Sequence, residues 1–367
     1  MDLDFNRSYL DFNASAPLRS GVKEAVFTAL ASQGNPSSVH QDGRKARKII
    51  EDTRDSISHI VGMHSNSIIF TSCGTEANVT IIADFLANSD YKEVFCSAIE
   101  HPSILEYVRP SRQIRVDKNG VIDLDYLETV LKKVSSPFLF CLMLANNETG
   151  VIQPVSAASE IVHMNGGVVL CDCVQALGKL ELDLNQLKAD FFSFSGHKIG
   201  APKGVGCLVA KSDANYSPLM RGGGQERSLR SGTENVSGIA GFGAAVQTMK
   251  SSDEINYLKT LRDDFEQSLL RARDDAYIIG DKVSRIPNTT SVAIRGVSSE
   301  SQLMKLDLAG FSVSSGSACS SGKITESHVL KAMGISPDLL GSSIRVSSGF
   351  TTTEKELQNF VDVWSSI

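Results

Sequence analysis

The chain has 367 residues, 41% of them hydrophobic and 21% charged, with a formal net charge of −6. That composition supports a large buried core, the length exceeds one ordinary domain, and the acidic balance argues against direct nucleic-acid binding. The seven cysteines are odd in number and spread through a long chain, which excludes a disulfide framework as the organising device.

The first residues, MDLDFNRSYL, lack an apolar signal core, and no apolar run reaches the length of a membrane span. A cytoplasmic protein with no membrane partner is expected. Between Arg44 and Gly62, the residues Ala46, Ile49, Ile50, Ile57, Ile60 and Val61 fall on one helical face. SIIF at 67–70 reads as a strand and TEANVTIIADFLAN as the following helix. Apolar runs at 93–98, 137–144 and 167–171 alternate with helical segments at 123–133 and 155–164, and two further strands are expected near 190–194 and 204–210. This is the rhythm of an α/β protein with a mostly parallel sheet covered on both faces.

After about residue 234 the pattern changes. A long helical stretch broken near Ser251-Ser252 runs to Arg273, then TSVAI and FSVSS read as strands around a helix at 300–308, and a last helix covers 353–366. A smaller α+β lobe is expected here, joined by the first dozen residues. Cys96, Cys141 and Cys207 lie in apolar runs and read as buried structural thiols. Cys171 and Cys173 are separated by one residue, closer than zinc-knuckle spacing, so no intrinsic metal is expected.

Three stretches place chemical groups at strand ends, where open α/β sheets bind ligands. In FTSCGTEAN, Gly74 and Thr75 open a helix whose amino end suits a phosphate; alone, Thr75 reads as readily as an N-cap. In VVLCDCVQALG, Asp172 ends an apolar strand and must meet a cation or hydrogen-bond donors there, with a structural ion pair as the alternative. In FFSFSGHKIGAPKGVG, a strand runs into Ser195, His197 and Lys198; the lysine is either a solvated charge or a Schiff-base amine. A lysine, an acid for a pyridine nitrogen and an anion cradle together match what pyridoxal 5′-phosphate (PLP) requires.

These motifs, with YLDFNASAP, GNPSSVHQDGRKAR, EHPSIL, NNETG, RGGGQERSLRSGTEN and SSGSACSSG in order along nearly the whole chain, resemble the cysteine desulfurases, class V aminotransferase relatives among the fold-type I PLP-dependent transferases. The resemblance implies a large PLP-binding domain at 16–250 and a small α+β domain at 1–15 and 251–367 that carries a cysteine loop. It implies Lys198, Cys319 and His101 as catalytic residues. Lys198 would hold the cofactor, Asp172 its ring nitrogen, Gln175 and Asn147 its phenolic oxygen, and His101 its ring face. Gly74, Thr75, Ser195 and His197 would take the phosphate, and Thr233 would reach the phosphate of a second subunit in a homodimer with shared sites. Arg345, with Asn35 and Asn147 nearby, would hold the substrate carboxylate. The residues alone left His101 open as a helix N-terminal residue, Arg345 as a surface ion pair and Asn35 as a turn residue.

The implied reaction removes sulfur from L-cysteine, leaving L-alanine and a persulfide on Cys319, for delivery to an acceptor such as an iron–sulfur scaffold. Cys319 would at most be a transient iron–sulfur ligand shared with that scaffold. An aminotransferase or selenocysteine lyase, and a non-catalytic interaction subunit, are the competing readings. Ser15, Ala16 and Cys73 depart from the usual pattern of the resemblance.

Overall fold

A computed structural model describes residues 7–87, 93–212, 214–249, 251–316 and 326–367. The expectation placed on Cys319 lies outside the described residues. The strands of the first half are β1 (Ser8–Tyr9), β2 (Ile68–Thr71), β3 (Glu93–Ser97), β4 (Gln113–Ile114), β5 (Phe138–Met143) and β6 (Val168–Asp172). They are followed by β7 (Phe191–Ser195), β8 (Gly206–Ala210), β9 (Ala276–Ile279), β10 (Thr289–Ile294), β11 (Phe311–Ser312), β12 (Ser314–Ser315) and β13 (Ser343–Ser347).

The larger sheet has the order β2-β8-β7-β6-β5-β3-β4. All its neighbours are parallel except β8, which runs antiparallel to both β7 and β2. The continuous apolar runs are explained by burial on both faces. Along β5, Phe138, Phe140 and Leu142 join one apolar cluster, while Leu139 and Cys141 join another on the opposite face. Cys96, Cys141 and Cys207 are fully buried in these layers, as their apolar settings suggested.

The helix Gln41–Val61 buries Ala46, Ile50, Ile57 and Val61, with Ile49 and Ile60 at the margin of that stripe. It ends on Gly62, whose φ of 70° is the left-handed conformation a helix stop favours. One charge lies in the buried stripe. Arg54 makes a two-pronged pair with Glu226, Nη1 to Oε2 at 2.9 Å and Nη2 to Oε1 at 2.7 Å, and Glu226 also accepts the Phe70 amide at 2.8 Å. The periodicity showed no sign of this pair, because the partners are far apart in sequence.

The second sheet, β12-β13-β10-β9, is antiparallel throughout, and β1 pairs separately with β11. Leu10, Phe265, Phe311, Phe360 and Trp364 form its core with the helices Ser251–Ala272 and Glu354–Trp364. The last helix starts with a capping box between Thr353 and Glu356. Two expectations shift. FSVSS is two short strands, split at Val313, serving different sheets. The break expected at Ser251-Ser252 comes earlier, at the end of the helix Val236–Gln247, where Thr248 Oγ1 takes the Ala244 carbonyl at 2.9 Å. Among the described residues, no helix is long and apolar enough to cross a membrane.

Candidate active site

The carboxyl ends of β5, β6 and β7 open into a cleft of ~270 Å³. Gly74, Thr75, His101, Asn147, Asp172, Gln175, Ser195, His197, Lys198 and Arg345 all line it. Ten of the residues singled out from sequence therefore meet in one place. Two do not line it. Asn35 sits in an exposed turn, its Oδ1 accepting the Ser37 amide at 2.9 Å. Thr233 is exposed on a separate cleft beside Arg230 and Glu234.

Asp172 ends β6, the central strand of seven, and is 6% exposed. Its carboxylate is answered by donors: Asn78 Nδ2 gives to Oδ2 at 2.9 Å and the Val174 amide to Oδ1 at 2.9 Å. Lys198 follows β7 on a short turn, and its Nζ donates to the carbonyls of Asn13 at 2.7 Å and Ala14 at 3.0 Å. Arg345 lies on β13, almost fully buried. It donates to Asp11 Oδ1 at 2.7 Å and to the Asn147 carbonyl at 3.1 Å, while its Nε has no partner among the described residues. The ion-pair reading of Arg345 is thus correct in part, but the pair is buried and at the cleft. The same holds for His101, which caps the helix Pro102–Leu105 through the Ser103 amide and also lines the cleft.

Burial dominates the proton affinities here. It pushes His101 below the usual imidazole range against the pull of Asp172, with Lys198 and His328 adding to the drop. Burial, then the charges of Lys198, Lys203 and Lys179, take His197 down to about 4. Both rings are neutral at pH 7. Burial, with the charge of Asp172 adding to it, holds the carboxyl of the fully buried Glu100 well above the ordinary range. Glu148 is pushed by burial to about 7, although the Ser327 hydroxyl and Arg345 pull it down.

Sequence reasoning missed the supporting residues. Asn13 joins both parts of the molecule: its amide Nδ2 donates to Thr289 Oγ1 at 2.8 Å and to the Asn147 carbonyl at 3.2 Å, and its carbonyl takes Lys198. Asn78, Asp11 and Lys179 were likewise not singled out. Their signal was only that of a polar side chain in an apolar setting, as in YLDFNAS and ALGKLEL.

Comparison with known proteins decides the family. Residues 8–360 match the family described as aminotransferase class-V. The chain is 37% identical over 370 residues to a cysteine desulfurase of Nostoc sp., covering 98% of this chain and 92% of that one. This chain belongs to the cysteine desulfurases of that family. A cysteine desulfurase IscS of Dictyoglomus turgidum is 38% identical, covering 98% of this chain and 94% of its own length. Among solved structures, a NifS-like protein from Rickettsia africae superposes with a TM-score of 0.90 at 34% identity, covering 98% of this chain and 99% of the other. The desulfurase fold, a mostly parallel sheet with helices on both faces plus a smaller mixed part, is the one expected from the motifs.

Proposed function

We propose that this cysteine desulfurase is PLP-dependent and that Cys319 receives the sulfur of L-cysteine as a persulfide while L-alanine leaves. The observation that carries the reading is the meeting of Lys198, Asp172, Gln175 and Arg345 in one cleft. The residues present fit PLP. Gly74 stands at the amino end of a helix where an added Cβ would meet Val174 Cγ2 at 2.5 Å, leaving backbone alone to face an anion. Thr75, Ser195 and His197 would share the phosphate, Asp172 would hold the ring nitrogen, His101 the ring face, and Gln175 with Asn147 the phenolic oxygen.

Bound PLP supplies an electron sink for negative charge at the substrate's Cα. The rest is done by side chains. Lys198 would hold the cofactor and move the Cα proton. Arg345, already fixed by Asp11 and with its Nε unpartnered among the described residues, would orient the substrate carboxylate with Asn147. Neutral His101 is a competent proton carrier at pH 7. At Cys319 an S–S bond forms as the substrate's Cβ–S bond breaks, and the carbon takes up a proton to become alanine.

The reading extends to a homodimer of two-domain subunits, divided at residues 16–250 and 1–15 with 251–367, in which Thr233 and Asn35 serve the neighbouring site. Support comes from Phe27, Leu30 and Val39, apolar side chains near Asn35 that are 59%, 64% and 88% exposed. Sulfur would pass to an acceptor such as an iron–sulfur scaffold in the cytoplasm.

Borohydride treatment of purified protein should mark Lys198, read by peptide mass. With L-cysteine and a reductant, wild type should release alanine and sulfide in equal amounts, and Cys319→Ala almost none. An unmodified Lys198 overturns the cofactor assignment, and alanine persisting in Cys319→Ala points to a lyase that does not use that thiol.

A further inference from the structure

A second amine lies buried behind Gln175 and Asn13, two of the residues that line the cleft. Lys179 is 6% exposed, and its Nζ donates to Asn13 Oδ1 at 2.7 Å and to Gln175 Oε1 at 2.5 Å. Gln175 Nε2 in turn donates to the Asn13 carbonyl at 3.0 Å, the same oxygen that Lys198 Nζ reaches at 2.7 Å. Asn13 Oδ1 is further held by Asn288 Nδ2 at 3.1 Å.

This arrangement decides which way the Gln175 amide faces. Toward the Asn13 carbonyl only a donor is tolerated, so the NH₂ must point there, and the amide oxygen then faces Lys179, whose N–H it accepts. The second N–H of that NH₂ is left for an acceptor in the cleft that Gln175 lines. Without the amine, the Asn13 carbonyl alone opposes the flipped amide, which would present a lone pair to the cleft instead. Burial, with the charges of Lys198 and Arg345, holds the Lys179 amine well below the ordinary lysine range. Two of its N–H groups serve its two acceptors, Asn13 Oδ1 and Gln175 Oε1, which orders the amide.

We propose that Lys179 is a positioning residue that locks the Gln175 amide with its N–H toward the phenolic oxygen of PLP. The proposal rests on the reading of the cleft as a PLP site. A donor on that oxygen favours the less protonated form of the bound cofactor, so losing it raises the pH midpoint of the visible band.

The test uses the full chain loaded with PLP as wild type, Lys179→Met, Lys179→Gln, Gln175→Ala and the double variant Lys179→Met/Gln175→Ala. The readouts are that midpoint and the PLP dissociation constant measured by refilling apoprotein. Lys179→Met and Gln175→Ala should each raise the midpoint by about one pH unit and weaken PLP about tenfold, the scale of one hydrogen bond to a charged group. The double variant should add nothing to Gln175→Ala, because both act through one amide. Lys179→Gln keeps an N–H for Gln175 Oε1 and should recover at least half of the shift. A wild-type midpoint in Lys179→Met beside a shifted Gln175→Ala, or additive effects in the double variant, overturns the proposal. Should Lys179→Met fail to fold, Lys179→Gln carries the comparison, and a midpoint as far shifted as that of Gln175→Ala overturns it. Failure of the underlying PLP reading looks different: wild type itself then shows no visible band and no borohydride mark on Lys198.

Discussion

Replacing Glu148 by glutamine should make the protein more stable at pH 8 and leave it unchanged near pH 4.5. Glu148 is 3% exposed in the NNETG turn, where it accepts the Ser327 hydroxyl. Burial raises its pKa from 4.5 to about 7. At ~1.4 kcal/mol per pH unit, that difference corresponds to about 3 kcal/mol. The folded state holds this proton more tightly than the unfolded chain does. Its stabilising effect is therefore complete below about pH 4.5 and is lost as pH rises toward 7. Glutamine never ionises and keeps an acceptor for Ser327, so Glu148→Gln escapes the loss. Urea unfolding of both proteins at pH 5, 6.5 and 8, compared as the difference between them, removes the contribution of every other titrating group. The variant's advantage should grow from near zero to ~2–3 kcal/mol. A difference that stays constant with pH would refute burial as the cause.

Arg54→Met leaves Glu226 without its partner in a site where both side chains are 1% exposed, and should cost about 3–5 kcal/mol in urea unfolding; a loss under 1 kcal/mol would contradict the pairing. His197, with a pKa of about 4, should show the chemical shifts of a neutral ring by NMR at every pH above 5, and titration near 6.5 would mean that the ring is solvated.

Much of the site could be read from strand ends. Asp172, Lys198 and Gly74 each follow an apolar run that had to be a strand, and strand ends of one parallel sheet share one edge, so their convergence follows from topology. Asn147, Gln175, His101 and Arg345 needed the resemblance, since nothing in their local spacing distinguishes a ligand-facing amide or guanidinium from a satisfied structural one. Asn13, Lys179, Asp11 and Glu148 escaped both routes. Each is a polar group whose burial is allowed only by partners distant in the chain, Asn13 with Thr289 and Asp11 with Arg345 among them. Hydrophobic periodicity carries no information about such pairs. The split of 311–315 into β11 and β12 was hidden for a related reason: a period of two is the same whichever neighbour a strand pairs with.

The placement of Asn13 bears on how the protein is made. Its backbone amide donates to Ser347 Oγ at 3.0 Å, 334 residues further along the chain, while its carbonyl holds Lys198. A nascent chain can complete the central sheet well before residue 347 leaves the ribosome, yet the anchor for the Lys198 amine is not secured until then. A chain released before residue 347 would therefore carry Lys198 without its full support.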